Sequence, residues 1–281
     1  MTGFRGWLLA TLLAAGLAAT CGCGRSIAQQ PTPAHVCGGE KIAHGIVSHI
    51  IDGRTLVLDD GREVRLAGVE VPPLPQGTGN APGGTEAKAA LEALAGGDEV
   101  VLDRAEMLSD RYGRIVTYAY TERDGDELFV QGELIASGFA RVSNHIDGGA
   151  CAAQLLGREN VARKTKSGLW GDSYFNVLDA AAPADVLAHQ GRFALVEGTV
   201  LSVRESGSTI YLNFGRRWSE DFTVAIQKRN ERNFTAAGLD VKGLAGRRLR
   251  VRGFIEARGA TAGSPWIVAE HPDQIEIAER E

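Results

Sequence analysis

Apolar and polar positions divide the chain into an address, a short linker and two stretches of β-rich pattern. Trp7–Thr20 (WLLATLLAAGLAAT) is an unbroken uncharged run of 14 residues, preceded by Arg5 and followed by the small-x-small signal Ser26-Ile27-Ala28. A membrane-spanning helix needs about 20 apolar residues, whereas the core of a signal peptide needs roughly 7–15. Residues 1–28 therefore read as a signal peptide, and the expected location is periplasmic or secreted, with no transmembrane segment in the mature chain. Leu17-Ala18-Ala19-Thr20-Cys21 is an imperfect bacterial lipobox, its leucine one place too far from the cysteine and threonine adjacent to it. A lipoprotein anchored to the membrane at Cys21 is the alternative.

Residues 29–42 have two prolines and no periodicity and read as a linker. Beyond them the pattern is β. Gly45–Ile51 and Thr55–Leu58 flank the hairpin turn Asp52-Gly53, and Asp59-Asp60-Gly61 leads into Glu63–Leu66. A Pro/Gly-rich loop fills 71–84, long enough to suggest function or mobility. Glu86–Ala95 has helical spacing and stops at Gly96-Gly97. Strands are predicted over Glu99–Asp103 and Ile115–Tyr120, a helix over Leu128–Ser137, an extended piece over Phe139–Val142, and the longest helix over Ala150–Lys166. After a small-residue connector at 177–191, strands are predicted at Phe193–Val203, Thr209–Phe214, Phe222–Ile226, Arg248–Ile255 and Trp266–Ala278, with a short helix over Asn230–Ala237. The fold class is thus mainly β with helices (α+β). Two domains are expected, residues 43–176 and 192–281, the second a small OB-like β-barrel.

Composition refines this. With 281 residues, 44% apolar and 23% charged, the chain has core enough for two modest domains. The net charge of −5 gives no reason to expect a protein that coats nucleic acid. It is unevenly spread: residues 29–191 carry 14 bases and 23 acids, residues 192–281 carry 14 and 12. Cleavage after Ala28 would remove Cys21 and Cys23 and leave Cys37 and Cys151, an even pair in an oxidising compartment. A Cys37–Cys151 disulfide is predicted.

Three segments carry candidate chemistry: Ile50–Leu58 (IIDGRTLVL), Val64–Pro72 (VRLAGVEVP) and Ser109–Arg114 (SDRYGR). Each alone is a charged turn. Together, in this order, and with Gly168-Leu169-Trp170 closing the stretch, residues 43–172 resemble the thermonuclease family of staphylococcal nuclease-like domains. The resemblance implies a five-stranded OB-fold barrel with three helices. It also implies phosphodiester hydrolysis, with calcium held by two aspartates and a carbonyl, a glutamate activating water, and two arginines on the phosphate.

Matched residue by residue, Arg65 and Arg114 fall on the two phosphate arginines, whose planar forks suit two phosphate oxygens. Asp52 and Thr55 also match, and Glu70 stands for the second calcium aspartate. Three positions depart: Arg54 replaces the first calcium aspartate, Val71 the threonine that lends its carbonyl, and Pro73 the water-activating glutamate. Calcium is held by carboxylate charge, so Ca2+ is expected to bind poorly, with Glu70 and Asp52 the carboxylates left to hold it; Glu63, Asp60 and Glu86 are nearby acids open to compensate. Loss of a general base alone costs about 10²–10⁴ in rate. The expectation is an exported protein that binds phosphate groups of nucleic acid or nucleotides through Arg54, Arg65 and Arg114, with Arg65, Glu70 and Arg114 as the surviving catalytic set. An active calcium-dependent endonuclease with rearranged acids and a cell-envelope scaffold are the alternatives.

In the second domain, Tyr211, Phe214, Trp218 and Phe222 are interleaved with Arg216 and Arg217. That composition suits base stacking and phosphate tracking, and equally a barrel core with solvated arginines. The six histidines share no close metal-type spacing.

Overall fold

Lys41–Asp52 pairs antiparallel with two neighbours as a strand, β1, which leads the first barrel of the computed structural model. The structure describes residues 35–75, 82–258 and 263–278. The expected signal peptide, the lipidation reading at Cys21, the start of the linker and the loop tip 76–81 lie outside these residues. Next come β2 (Thr55–Leu58), β3 (Glu63–Leu66), β4 (Val69–Glu70), α1 (Gly84–Ala95), β5 (Glu99–Ser109), β6 (Ile115–Arg123), β7 (Asp126–Phe129), α2 (Val130–Ala136), β8 (Arg141–Val142) and α3 (Ala150–Lys164).

The ring runs β1–β2–β3–β6–β5 and back to β1. All its pairings are antiparallel except β3–β6, where Arg65 lies beside Val116. Leu56, Leu58, Val64, Val100 and Leu102 fill the interior and are almost fully buried. The N-terminal segment is tied to α3 by the predicted disulfide, Cys37–Cys151.

The second barrel follows: β9 (Leu178–Asp179), α4 (Pro183–Leu187), β10 (Phe193–Thr199), β11 (Ser202–Ser206), β12 (Thr209–Asn213), β13 (Thr223–Gln227), α5 (Glu231–Ala236), β14 (Arg248–Phe254), β15 (Glu256–Arg258), β16 (Ser264–Val268) and β17 (Ile275–Ile277). β10 pairs with β14, β11 with β12, β12 with β13, β13 in parallel with β16, and β16 with β15. Counting β10–β11 and β14–β15 each as one bent strand, this is the pairing order of the first barrel.

Three expected elements are divided. The strand expected over 193–203 breaks where Val200 N–H donates to Arg247 and Leu201 N–H to Asn213, handing the chain from one sheet to the other. The strand expected over 266–278 breaks at Pro272, which has no N–H for a ladder; β16 pairs with β13 and β17 with β14. The helix expected over 128–137 begins only at Val130, because Leu128 and Phe129 still pair with β6. The connector is itself built in, β9 pairing in parallel with β10.

All described residues belong to one compact unit, Ala34–Glu281. A small cluster of Ala162, Trp170, Phe175, Phe193 and Leu195 joins the barrel cores. Beside it the fully buried Arg252 of β14 donates to both oxygens of buried Glu159 in α3, at 2.7 and 3.1 Å, to the Val142 carbonyl at 3.0 Å, and to Glu276. Two opposed carboxylates outweigh burial and hold the Arg252 guanidinium above its usual pKa. No helix among the described residues is long and apolar enough to cross a membrane.

Candidate functional site

The turn between β1 and β2 sets the first charged group. Gly53 fits there because a Cβ would lie 2.7 Å from that of Ala87, so α1 packs directly on the hairpin. Asp52 Oδ1 accepts the Arg54 N–H at 2.9 Å, which fixes the turn. Thr55 and Arg65 are cross-strand partners and so share a face of the barrel. That is the outer face, since their neighbours Leu56 and Val64 point into the core. Arg114 stands two residues before Val116, the parallel partner of Arg65, and alternation puts it on the same face. Its loop closes at Gly113, whose φ of +81° suits glycine. Asp110 Oδ1 accepts the N–H groups of Tyr112 and Arg114 at 2.9 and 3.1 Å.

The charges pair unequally. Arg54 donates to the Val69 carbonyl at 3.2 Å and to Glu70, both from one terminal nitrogen. Arg114 donates to Asp110 Oδ2 through Nε at 2.7 Å, with its Nη2 2.6 Å from the same oxygen. Arg65 has no hydrogen bond or ion pair among the described residues. Burial, then the neighbouring Arg54 and Arg114 charges, push its guanidinium below the usual pKa, while Glu70 and Asp52 pull the other way. The other four charges therefore act on Arg65. Thr55, also there, keeps a buried hydroxyl without a partner among the described residues.

Asp52, Arg54 and Glu70 of this group also line a cleft of about 1150 Å³, whose lining includes neither Arg65 nor Arg114. One wall is Asp52, Arg54, Glu70 and the loop Val71–Leu74; the other comes from the second barrel and its approach, with His189, Arg192, Phe193 and Phe254. Arg141, the β8 partner of Glu70, closes the floor. Its Nη2 donates to the Phe193 carbonyl at 2.8 Å, and its guanidinium lies 4.3 Å from the Phe175 ring centre. Sequence reasoning missed Arg141, His189 and Arg192. No motif marks them, and only the β4–β8 pairing and the seating of the second barrel bring them here.

Residues 63–172 match the family model described as staphylococcal nuclease homologue. This part of the chain is a staphylococcal nuclease homologue domain. A search among curated proteins returned no match to the sequence.

The residues of this nuclease-homologue domain do not fit the calcium ion of the family. Asp52 and Glu70 are the carboxylates lining the cleft among the described residues. Glu70 is bound to the Arg54 guanidinium, so a cation already occupies that carboxylate. Pro73 lines the wall without offering a base. The compensating acids considered from sequence do not line the cleft, and Asp60 is paired with Arg62 at 2.6 Å.

On the second barrel, Phe222 is fully buried and Phe214 packs against it at 5.1 Å, so half of the aromatic series is core. Trp218 is 65% exposed. The Arg258 guanidinium lies 5.0, 5.5 and 5.8 Å from the ring centres of Tyr211, Trp266 and Trp218.

Proposed function

We propose that this is an exported nuclease-family protein that holds a phosphate group of a nucleotide or nucleic acid at Arg65, beside Arg54 and Arg114, and that it cleaves phosphodiesters slowly or not at all. The observation that carries the reading is Arg65. Its half-buried guanidinium has five donors and no protein acceptor among the described residues, while each flanking arginine already has its own carboxylate. Arg54 keeps Nε and one terminal nitrogen for a phosphate, and Arg114 keeps one terminal nitrogen. The three guanidinium groups face Asp52, Glu70 and Asp110, so the pocket is close to neutral. Binding is then short-range, metal-independent and weakened by salt.

Catalysis would need a base to take a proton from water and a cation to offset charge on the developing phosphorane. Arginine supplies part of the second, and Pro73 stands where the family has its base. Incubating the purified protein with DNA and RNA, with and without calcium, tests this directly. Slow turnover that ignores calcium is expected. Calcium-stimulated cleavage at an ordinary enzymatic rate, lost in Arg114→Ala, would overturn the reading in favour of an active enzyme.

A further inference from the structure

Away from the cleft, the loop after β8 and the loop after β16 bring together three metal-ligating side chains from two segments far apart in sequence. We propose that His145, Glu270 and His271 form a site for a divalent transition-metal ion, with zinc the best match, that ties the first barrel to the second. The ligand atoms of these residues all lie within 4.8 Å of one another. The His145 and His271 ring centres are 4.8 Å apart and the rings are inclined by 67°. Two imidazoles bound to one tetrahedral ion at 2.0–2.1 Å have ring centres about 5 Å apart. The rings are thus at metal-binding separation already, and small side-chain rotations complete the approach of the nitrogens and the carboxylate.

Both loops are held. The N–H groups of Glu270 and His271 donate to Gln274 Oε1 at 2.7 and 3.0 Å. Gln274 is buried, and its Nε2 donates to the carbonyls of Arg252 and Val268 at 3.1 and 3.2 Å. Opposite, Ser143 N–H donates to the Gly68 carbonyl at 2.9 Å and His145 N–H to Ser143 Oγ at 3.2 Å. Asp147 N–H donates to the Tyr118 hydroxyl at 3.2 Å. A preformed geometry of this kind limits the ordering cost of binding.

The donor set selects the ion. Two imidazoles and one carboxylate suit zinc, copper or nickel, whereas calcium takes six to eight oxygens. His145 is exposed and the other two are half-buried, so the fourth position opens to water. The site shares no residue with the Arg65 group or the cleft beside it and stands whether or not phosphate binds there.

The test is calorimetric titration of chelator-stripped protein with zinc chloride, alongside the visible absorption of cobalt(II) added to the same protein. One zinc per chain with micromolar or tighter affinity is expected, unaffected by millimolar calcium, with cobalt bands of a four- or five-coordinate site. His145→Ala and His271→Ala should each weaken zinc by more than the roughly 10–100-fold that loss of an outer-shell partner costs, and abolish the cobalt bands. Glu270→Gln should weaken it less. No saturable one-site binding, displacement of zinc by calcium, or unchanged affinity in both histidine variants would overturn the proposal. Far-UV circular dichroism of the variants confirms that they are folded.

Discussion

Arg252→Met removes the buried cation that joins the two barrels while keeping most of its volume. In the parent, Glu159 has 1% side-chain exposure and accepts both Arg252 donors and the Val142 N–H at 2.7 Å. After the change it keeps that N–H and Arg163, 3.9 Å away. Leaving one member of a buried pair uncompensated costs about 3–5 kcal/mol, against a total stability of about 5–15 kcal/mol. Glu276, 23% exposed at its side chain, turns to water and adds little. Removing both buried charges in Arg252→Met with Glu159→Leu should recover most of the loss, because hydrophobic replacement of a whole pair is often neutral or stabilising. Urea unfolding followed by tryptophan fluorescence reads both effects as shifts in midpoint at constant slope. A single-variant cost below about 1 kcal/mol, or a double variant no better than the single, would refute this account of the junction.

Three further outcomes are expected. The disulfide closes a loop of 114 residues, so Cys37→Ser with Cys151→Ser should cost up to about 4.7 kcal/mol in denaturant unfolding; an unchanged midpoint contradicts that. Arg54→Asp with Pro73→Glu returns a carboxylate to the metal position and a base to the wall, and should raise calcium-dependent cleavage by at least about 10²-fold. No gain in a nuclease assay, with the fold intact, would count against the assignment of those two positions. Burial opposes the charged form of His35, but its hydrogen bonds to Asp103 and Glu127 outweigh this and raise its pKa above 6.5. A raised histidine pKa stabilises the fold below the unfolded value, and that contribution fades as pH climbs through the folded one. Unfolding midpoints measured from pH 6 to 9 should therefore fall more in the parent than in His35→Gln; parallel profiles refute it.

Much of this was legible in the sequence because it is written locally. β2 and β3 lie where alternation and the Asp52-Gly53 and Asp59-Asp60-Gly61 turns placed them, and α5 is where a short helix was expected. The Cys37–Cys151 bond followed from parity. The motif order also located the five charged residues that gather at Arg65. Tertiary pairing was hidden. The two-residue strands β4 and β8 carry no periodicity, yet they bring Arg141 beside Glu70. The bends at Val200 and Pro272 arise because one strand serves two sheets. His145 and His271 show no spacing signal, since the barrel-to-barrel contact alone brings them together. Asp110 as the partner of Arg114 was hidden in the same motif that identified the arginine, because its carboxylate also caps the turn.

Calorimetric titration with a nucleoside 3′,5′-bisphosphate, in chelator and at two salt concentrations, tests the central claim most directly. The account predicts weak, saturable binding without calcium, weakened by salt, lost in Arg65→Ala and reduced in Arg114→Ala. Equal heats for the parent and both variants, or binding that appears only when calcium is added, would contradict it.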